Sequence, residues 1–529
     1  MGNVGAEDSA RRDALRRLVE WITQFSGPEE ALAAAGQGLE FTESRTIGGA
    51  WALDALWNRL GVGPSVRRLL AGSDLDDSTE RVLFALVANR ALAPSALVAA
   101  GWVSEDVFID GLPATTDDMC CRAADWLLEI GDSLEQEIFD QVAGLKGQDV
   151  EVLFFGVTAV CSGGDHDGRP VGLGEGAWGT PRDMGAGDRR AAALIRAYGK
   201  HADHREYPPQ AVIGMAVTHE GIPARTWCWR GTTAEPTMIS QVQDDLRDRA
   251  PSRIIWVSGH GLTPPENRRR LRGSGDYIIA EKLRSGSAEA AAALSSQGRY
   301  QAITAALRVK EVRVSDDERF IVCHDPGRAV RDAAARARTL ALLKELIEYT
   351  DTLSKDKRAE ACAAVAARPG LNRYLRITPA GRLRVHAKSV KSEENLDGKY
   401  LLRASAPDVA AEDIAMTYTR LLETERGWRA MHQAAGLRPV CRCGEKHIRA
   451  HVLLCSLALL LSRIAENACH AAWPELRREL DRIAIGTFTG PVGTFRQRTE
   501  ITDAQRDIFA RLGIDLPPRM CQLTPTADP

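Results

Sequence analysis

Between Ala410 and Ala434, the residues Ile414, Tyr418, Leu421, Glu425, Trp428 and His432 recur at spacings of 4, 3, 4, 3 and 4. That is one face of a 3.6-residue helix. Glu425 therefore sits on the apolar stripe, while Glu412 and Glu423 fall off it. A carboxylate in such a place is costly to bury unless something positive meets it. Two chemistries satisfy that demand. Glu425 is a ligand to a metal ion, or it is ion-paired with a neighbouring arginine such as Arg426 or Arg449. Periodicity alone leaves both open.

Other residue types invite chemistry elsewhere. Cys441, Cys443, His447 and His451 have zinc-ligand types, spaced CxC-x3-H-x3-H. Structural zinc sites usually put two to four residues between cysteines, so the spacing is poor and packing or a surface role is the plainer reading. Lys200, His201, His204 and Arg205 cluster in one polar connection, suited to phosphate contact or simply to solvent. Asn372 to Lys391 carries six basic residues, Arg373, Arg376, Arg382, Arg384, Lys388 and Lys391, and no acid. It reads as a basic hairpin, either solvated or facing a polyanion. Trp227 and Trp229 alternate on one strand face, which favours sheet packing over a base-stacking platform.

The elements that position these residues can be read from pattern. The 529-residue chain has a net charge of −3, with 44% apolar and 26% charged residues. These are ordinary values for globular domains, and any DNA-binding surface must be local. The eleven cysteines are scattered, which argues against a disulfide framework and for a reducing cytosol. The apolar run Val452–Leu461 is about half the ~20 residues that a membrane span requires, so it reads as a buried helix. Residues 1–150 read as all-helical, with Ser78 or Asp77 capping STERVLFALVANRAL. From 151 the pattern changes. EVLFFGVTAVC (151–161) and RIIWVSG (253–259) are continuous apolar strands of a buried sheet, and they carry Gly156 and Gly259. AVIGMAVTHE and IPARTWCWR form a hairpin about Gly221, and DYIIAEKL (276–283) is a further strand. Thr263, Pro264 and Glu266 make a capping box with the preferred proline. Residues 284–408 interrupt this α/β layer with short strands, a long helix (326–367) broken near Ser354, and the basic hairpin. Helices fill 409–485, and 486–529 reads as a loop-rich tail. No GxGxxG or GxxxxGK[ST] motif follows a strand, so nucleotide-binding folds have no support.

The segment YTRLLETERGWRAMHQAAGLRP (418–439) resembles the glutamate helix of DDE transposases of the IS-four-like insertion-sequence superfamily, in the long subgroup with an N-terminal helical region. KHADHREYPPQAVIGMAVTHEGIPARTWCWRGTT, YIIAEKLR, KSEENLDGKYLLR, HIRAHVLLCSLALLL and IGTFTGPVGTFRQRTEIT extend the likeness from about Leu39 to Pro518. The resemblance implies an α/β RNase H-like core (151–283, completed by 409–485), a mostly β insertion, and all-α regions at both ends. The family's first aspartate falls in a motif resembling F-D-[VT]-T, where this chain has Phe155-Gly156-Val157-Thr158. The second falls in one resembling V-D-R-G-F, where it has Ser258-Gly259-His260-Gly261-Leu262. The glutamate carries over onto Glu425 and the motif tyrosine onto Tyr418. His432 stands where a lysine is frequent.

The resemblance further implies Mg2+ or Mn2+ as cofactor, held by three carboxylates, for cleavage and transfer of DNA strands. Here only Glu425 survives as a carboxylate ligand, so weak or absent metal binding and little catalysis are expected. Asp165, Asp167 and Asp276 are the candidate substitutes. The expected partner is double-stranded DNA at transposon inverted repeats. It would be bound as a homodimer through 1–150, the 200–205 cluster and the basic hairpin, in a nucleoid-associated, cytoplasmic setting away from membranes. An alternative is a non-catalytic protein that occupies transposon ends and inhibits active relatives.

Overall fold

The computed structural model describes residues 40–94, 102, 105–144, 152–160, 211–230, 233, 235–247, 253–258, 269, 272–273, 275–281, 283, 287–313, 319–433, 445–490 and 493–525. In chain order the elements are β1 (Glu40–Thr46), α1 (Gly48–Arg59), α2 (Val62–Leu70), α3 (Thr79–Leu92), α4 (Asp117–Gly144), β2 (Val152–Val160), β3 (Ala211–Val217), β4 (Pro223–Arg230) and α5 (Glu235–Arg247). Then come β5 (Arg253–Ser258), β6 (Asp276–Glu281), α6 (Ala288–Ser295), β7 (Gln301–Thr304), β8 (Leu307–Arg313), β9 (Arg319–His324), α7 (Pro326–Thr352), α8 (Lys355–Ala366), α9 (Pro369–Asn372), β10 (Leu375–Ile377), β11 (Leu383–Val385) and α10 (Ala387–Glu394). The chain ends with β12 (Lys399–Ala404), α11 (Ala411–Gln433), α12 (Glu445–Cys469), α13 (Trp473–Leu480), β13 (Ala484–Gly490), β14 (Gly493–Arg498), α14 (Asp503–Leu512) and β15 (Met520–Pro525). Two compact units share these elements. One comprises Met1–Glu151, Ile213–Cys228 and Arg420–Pro529, and the other Val152–Val212 and Trp229–Thr419.

In the first unit, α3, α4 and α12 pack together. α3 is buried along nearly its whole length, the polar Glu80, Asn89 and Arg90 included, and Val82 to Ala88 are all buried. Its expected cap is not made by the Ser78 side chain. Asp76 Oδ1 accepts from the Ser78 amide at 2.7 Å instead. In α12 the stretch Arg449–Cys469, mean hydropathy 1.6, is long and apolar enough to cross a membrane, but 72% of its most apolar window is buried inside the protein. It is longer than the Val452–Leu461 run because the helix continues through polar and charged residues such as Arg449, Arg463 and Glu466. Two readings need correction here. Residues 1–150 are not all-helical, since β1 pairs antiparallel with β13. The 486–529 segment is not a loop-rich tail, since β13, β14 and β15 form a sheet with β1 and α14 packs nearby. α14 starts at a complete Thr502–Gln505 capping box and stops at Gly513 in the left-handed conformation.

In the second unit, seven strands run in the order β2-β5-β6-β12-β9-β8-β7. β2, β5 and β6 are mutually parallel, and the remaining pairs are antiparallel. This differs from a separate β insertion. Among the described residues, the chain leaves after β6, builds β7 to β11 and the five helices α6 to α10, and returns as β12 between β6 and β9. Burial explains the return, because Leu401, Leu402, Arg403 and Ala404 are at most 1% exposed. The inserted strands therefore extend the core sheet. α6 covers one of its faces through Ala290 and Ala293 on Phe320, Val322 and Leu401. α7 and α8, separated at Leu353–Ser354 as the sequence suggests, form a small core of their own with the β10–β11 hairpin.

Candidate functional site

The backbone around the two glycines is laid out by β2 and β5. They are adjacent and parallel, with Phe154 opposite Ile255 and Phe155 opposite Trp256. The Phe155 ring meets Trp256 edge-on at 5.1 Å and Trp229 at 6.4 Å, which fixes the strand pair from one side. Gly156 is the next residue of β2, and Ser258 ends β5. Position 259 follows directly, and Gly259 and His260 lie outside the described residues. Parallel strands present their carboxyl ends on one side of a sheet, where α/β proteins place their ligands. Position 156 and the end of β5 are thus neighbours.

Asp276 does not fill the gap. It opens β6 and pairs with Ile255, three residues before the end of β5 and roughly 10 Å back along the strand at ~3.3 Å per residue. Ser405 Oγ holds its carboxylate at 3.2 Å, and the same Oγ accepts from the Tyr277 amide at 2.9 Å. Asp165 and Asp167 lie outside the described residues, as do Lys200, His201, His204 and Arg205.

Glu425 lies on α11 in the first unit and is half-buried. The predicted stripe is the buried face, with Ile414, Tyr418, Leu421 and Trp428 at most 9% exposed. Its carboxyl-terminal half is pinned to the β3–β4 turn. Thr424 Oγ1 donates to the Gly221 carbonyl at 3.0 Å, and Arg420 Nη1 donates to the His219 carbonyl at 2.9 Å. Off the stripe, Glu423 pairs with Arg463 at 3.5 Å. Gly427 allows close approach of α12, since a Cβ there would stand 2.9 Å from a Leu459 methyl. His432 is within α11.

The donor set does not fit a pair of dications. Mg2+ and Mn2+ demand hard oxygen ligands, with carboxylates doing most of the holding. Gly156 and Gly259 supply no side-chain oxygen, and among the described residues no group of three His, Cys, Asp or Glu is placed to hold a metal. The zinc set is no better. Cys441 and Cys443 lie outside the described residues, and His451 is buried with Nε2 3.5 Å from Cys455 Sγ. Burial pushes that thiol up to about 12. Cys121 is disulfide-bonded, which cysteine spacing did not suggest.

The basic hairpin is real but partly neutralised. β10 and β11 pair antiparallel, and its last segment is the helix α10. Arg384 meets Asp351 at 2.8 Å and Arg382 meets it at 3.8 Å. Arg373 lies 3.7 Å from Glu393, and Lys391 lies 3.0 Å from Glu394. Arg376 and Lys388 are exposed and form no ion pair among the described residues. Trp227 and Trp229 are buried, as packing residues should be.

Sequence reading missed two charged groups. Arg403 is 1% exposed, donates to Glu281 at 2.7 Å and Glu289 at 2.6 Å, and lies over the Phe320 ring at 4.4 Å. Arg308, His324 and Lys399 form one row across β8, β9 and β12. Only strand register reveals either group. No known protein-family model and no curated protein matches this chain.

Proposed function

We propose that this chain is a DNA-binding protein of the DDE-transposase type in which metal-dependent strand cleavage has been silenced. One observation carries the reading. β2 and β5 are parallel neighbours, with a glycine at position 156 and another directly after Ser258. Carboxylates at those two positions would converge at the sheet's carboxyl edge, and a third on a helix would complete a ligand set for two ions. Glu425, half-buried on the apolar stripe of α11, supports that assignment of the third. With glycine at two of three positions, Glu425 alone cannot bridge two dications. What the chain keeps is affinity for the phosphate backbone, supplied by basic residues such as Arg376 and Lys388.

The test uses the purified full chain, duplex DNA bearing candidate element ends, and Mg2+ or Mn2+. The unmodified protein is expected to shift the DNA and leave it intact, whereas Gly156→Asp/Gly259→Asp gains nicking. Nicking by the unmodified chain at the rate of the double variant would overturn the silencing. Absence of DNA binding by either would overturn the function.

A further inference from the structure

We propose that the row Arg308–His324–Lys399 is a docking surface for the phosphate backbone of duplex DNA. The choice of partner rests on the DNA-binding reading above; the surface itself rests on register. Arg308 pairs directly with His324, and His324 pairs directly with Lys399. Three nitrogenous side chains thus stand in one line across three strands, with Arg308 and Lys399 roughly 10 Å apart at ~4.8 Å per strand. Like charges in such rows work against the sheet.

The row itself holds no acid, although Asp325 follows His324 in the chain and Asp332 accepts from the Gly398 amide at 3.0 Å, next to Lys399. Among the described residues Arg308 and Lys399 form no ion pair. Arg313 and Arg319, farther along the same strands, are both matched to Glu311, at 3.3 Å each. His324 senses the imbalance. Burial pulls its pKa below the ordinary value, Arg308 and Lys399 pull it further, and Asp325 only partly opposes them. Lys310, next along the same face, is buried and supports the row from beneath. Its Nζ donates to the Ser296 carbonyl at 2.6 Å and stands 5.5 Å from the centre of the Tyr300 ring, which in turn is 6.1 Å from the His324 ring. Exposed Arg328 and Arg331 follow in the opening turns of α7, but they are matched by Asp332 at 3.7 Å and Asp325 at 3.8 Å, so the uncompensated charge is that of the row.

The plain alternative is protection of a sheet edge, where cations discourage strand addition. The edge strand here is β7, and its sequence, QAIT, has no charge. The cations sit inward on β8, β9 and β12, and β12 has a partner on each side. Edge protection does not place them there. Donors set in a line at strand spacing suit a repeating polyanion, which meets each in turn, better than a single acidic side chain.

The experiment measures binding of the full chain to a fluorescein-labelled mixed-sequence duplex over a salt series. Arg308→Ala/Lys399→Ala is compared with the wild type and with Arg313→Ala as a control, and circular dichroism verifies folding of each. Removing two phosphate contacts is expected to reduce the slope of log K against log salt by about 2 and to weaken binding roughly 10- to 100-fold at low salt. Arg313→Ala is expected to leave both unchanged. If the wild type binds and the double variant keeps its slope and affinity, the row is not the docking surface. If the wild type binds no duplex, the DNA-binding reading falls and this assignment with it. If polyglutamate binds the row in preference to the duplex, DNA is the wrong partner.

Discussion

Arg403 gives the sharpest test of how the inserted strands are tied to the core. The side chains of Arg403 and Glu281 are 2% and 1% exposed, and the Nε–Oε1 distance between them is 2.7 Å. Glu289, the second partner, is half exposed, so its ion pair is worth at most about 1 kcal/mol. The weight falls on Glu281. Replacing Arg403 by methionine keeps much of the volume but strands a buried carboxylate, a change that costs about 3–5 kcal/mol. Replacing both, as Arg403→Met/Glu281→Leu, removes the stranded charge and should recover most of that loss. Cys323 is a local reporter. It lies on β9 beside β12, it is fully buried, and burial pushes its thiol up to about 12. Its alkylation under native conditions, followed by peptide mass spectrometry, reads the opening of this sheet without requiring two-state unfolding. The single variant should label roughly two to nearly four orders of magnitude faster than wild type, at 1.4 kcal/mol per factor of ten. The double variant should fall back towards wild type. Labelling of the single variant within about fivefold of wild type, or a double variant as fast as the single, would refute the reasoning.

Further outcomes follow from other contacts. Gly221 has φ of 75°, and a Cβ there would stand 3.0 Å from Arg463 Nη2 and 3.1 Å from Thr424 Oγ1. Gly221→Ala should therefore cost about 2–3 kcal/mol, read as a lower urea midpoint, and no shift would contradict the close seat of α11 on the β3–β4 turn. Burial pushes the Glu80 carboxyl up, but Arg81, Trp57 and Arg67 outweigh it and hold it below its ordinary value. Its contribution is fully present above about pH 4.3 and is lost as pH falls through the lower folded value. Wild type should lose stability relative to Glu80→Gln on acidification below pH 4, and parallel profiles would contradict this. On the hairpin, Arg376→Ala/Lys388→Ala should lower the salt slope of DNA binding by about 2. Arg384→Ala, whose guanidinium already meets Asp351, should lower it by less than 1.

The parts of the fold that sequence reveals are those written in short-range periodicity. FFG, IIW and YIIA announce buried strands because their apolar residues are consecutive, and β2, β5 and β6 form there. Glu425 stands out because the residues around it repeat at helical spacing, and the stripe they define is buried. What periodicity hides is pairing at a distance. β1 is mostly polar and finds its partner in β13, where Thr42 Oγ1 donates to the Thr487 carbonyl across 445 residues. The tail reads as loop because glycines and threonines dilute the alternation of β13 and β14. The hairpin reads as an uncompensated basic patch because Asp351, which meets Arg382 and Arg384, belongs to α7. The Arg308–His324–Lys399 row exists only once three strands are in register.

The central claim concerns oxygen donors, and titration calorimetry of Mn2+ into the purified chain tests it most directly. The wild type should show no stoichiometric uptake of two ions, while Gly156→Asp/Gly259→Asp, which restores both missing carboxylates, should bind them in a manner abolished by Glu425→Gln. Two ions taken up by the unmodified protein with the affinity of the double variant would contradict the account.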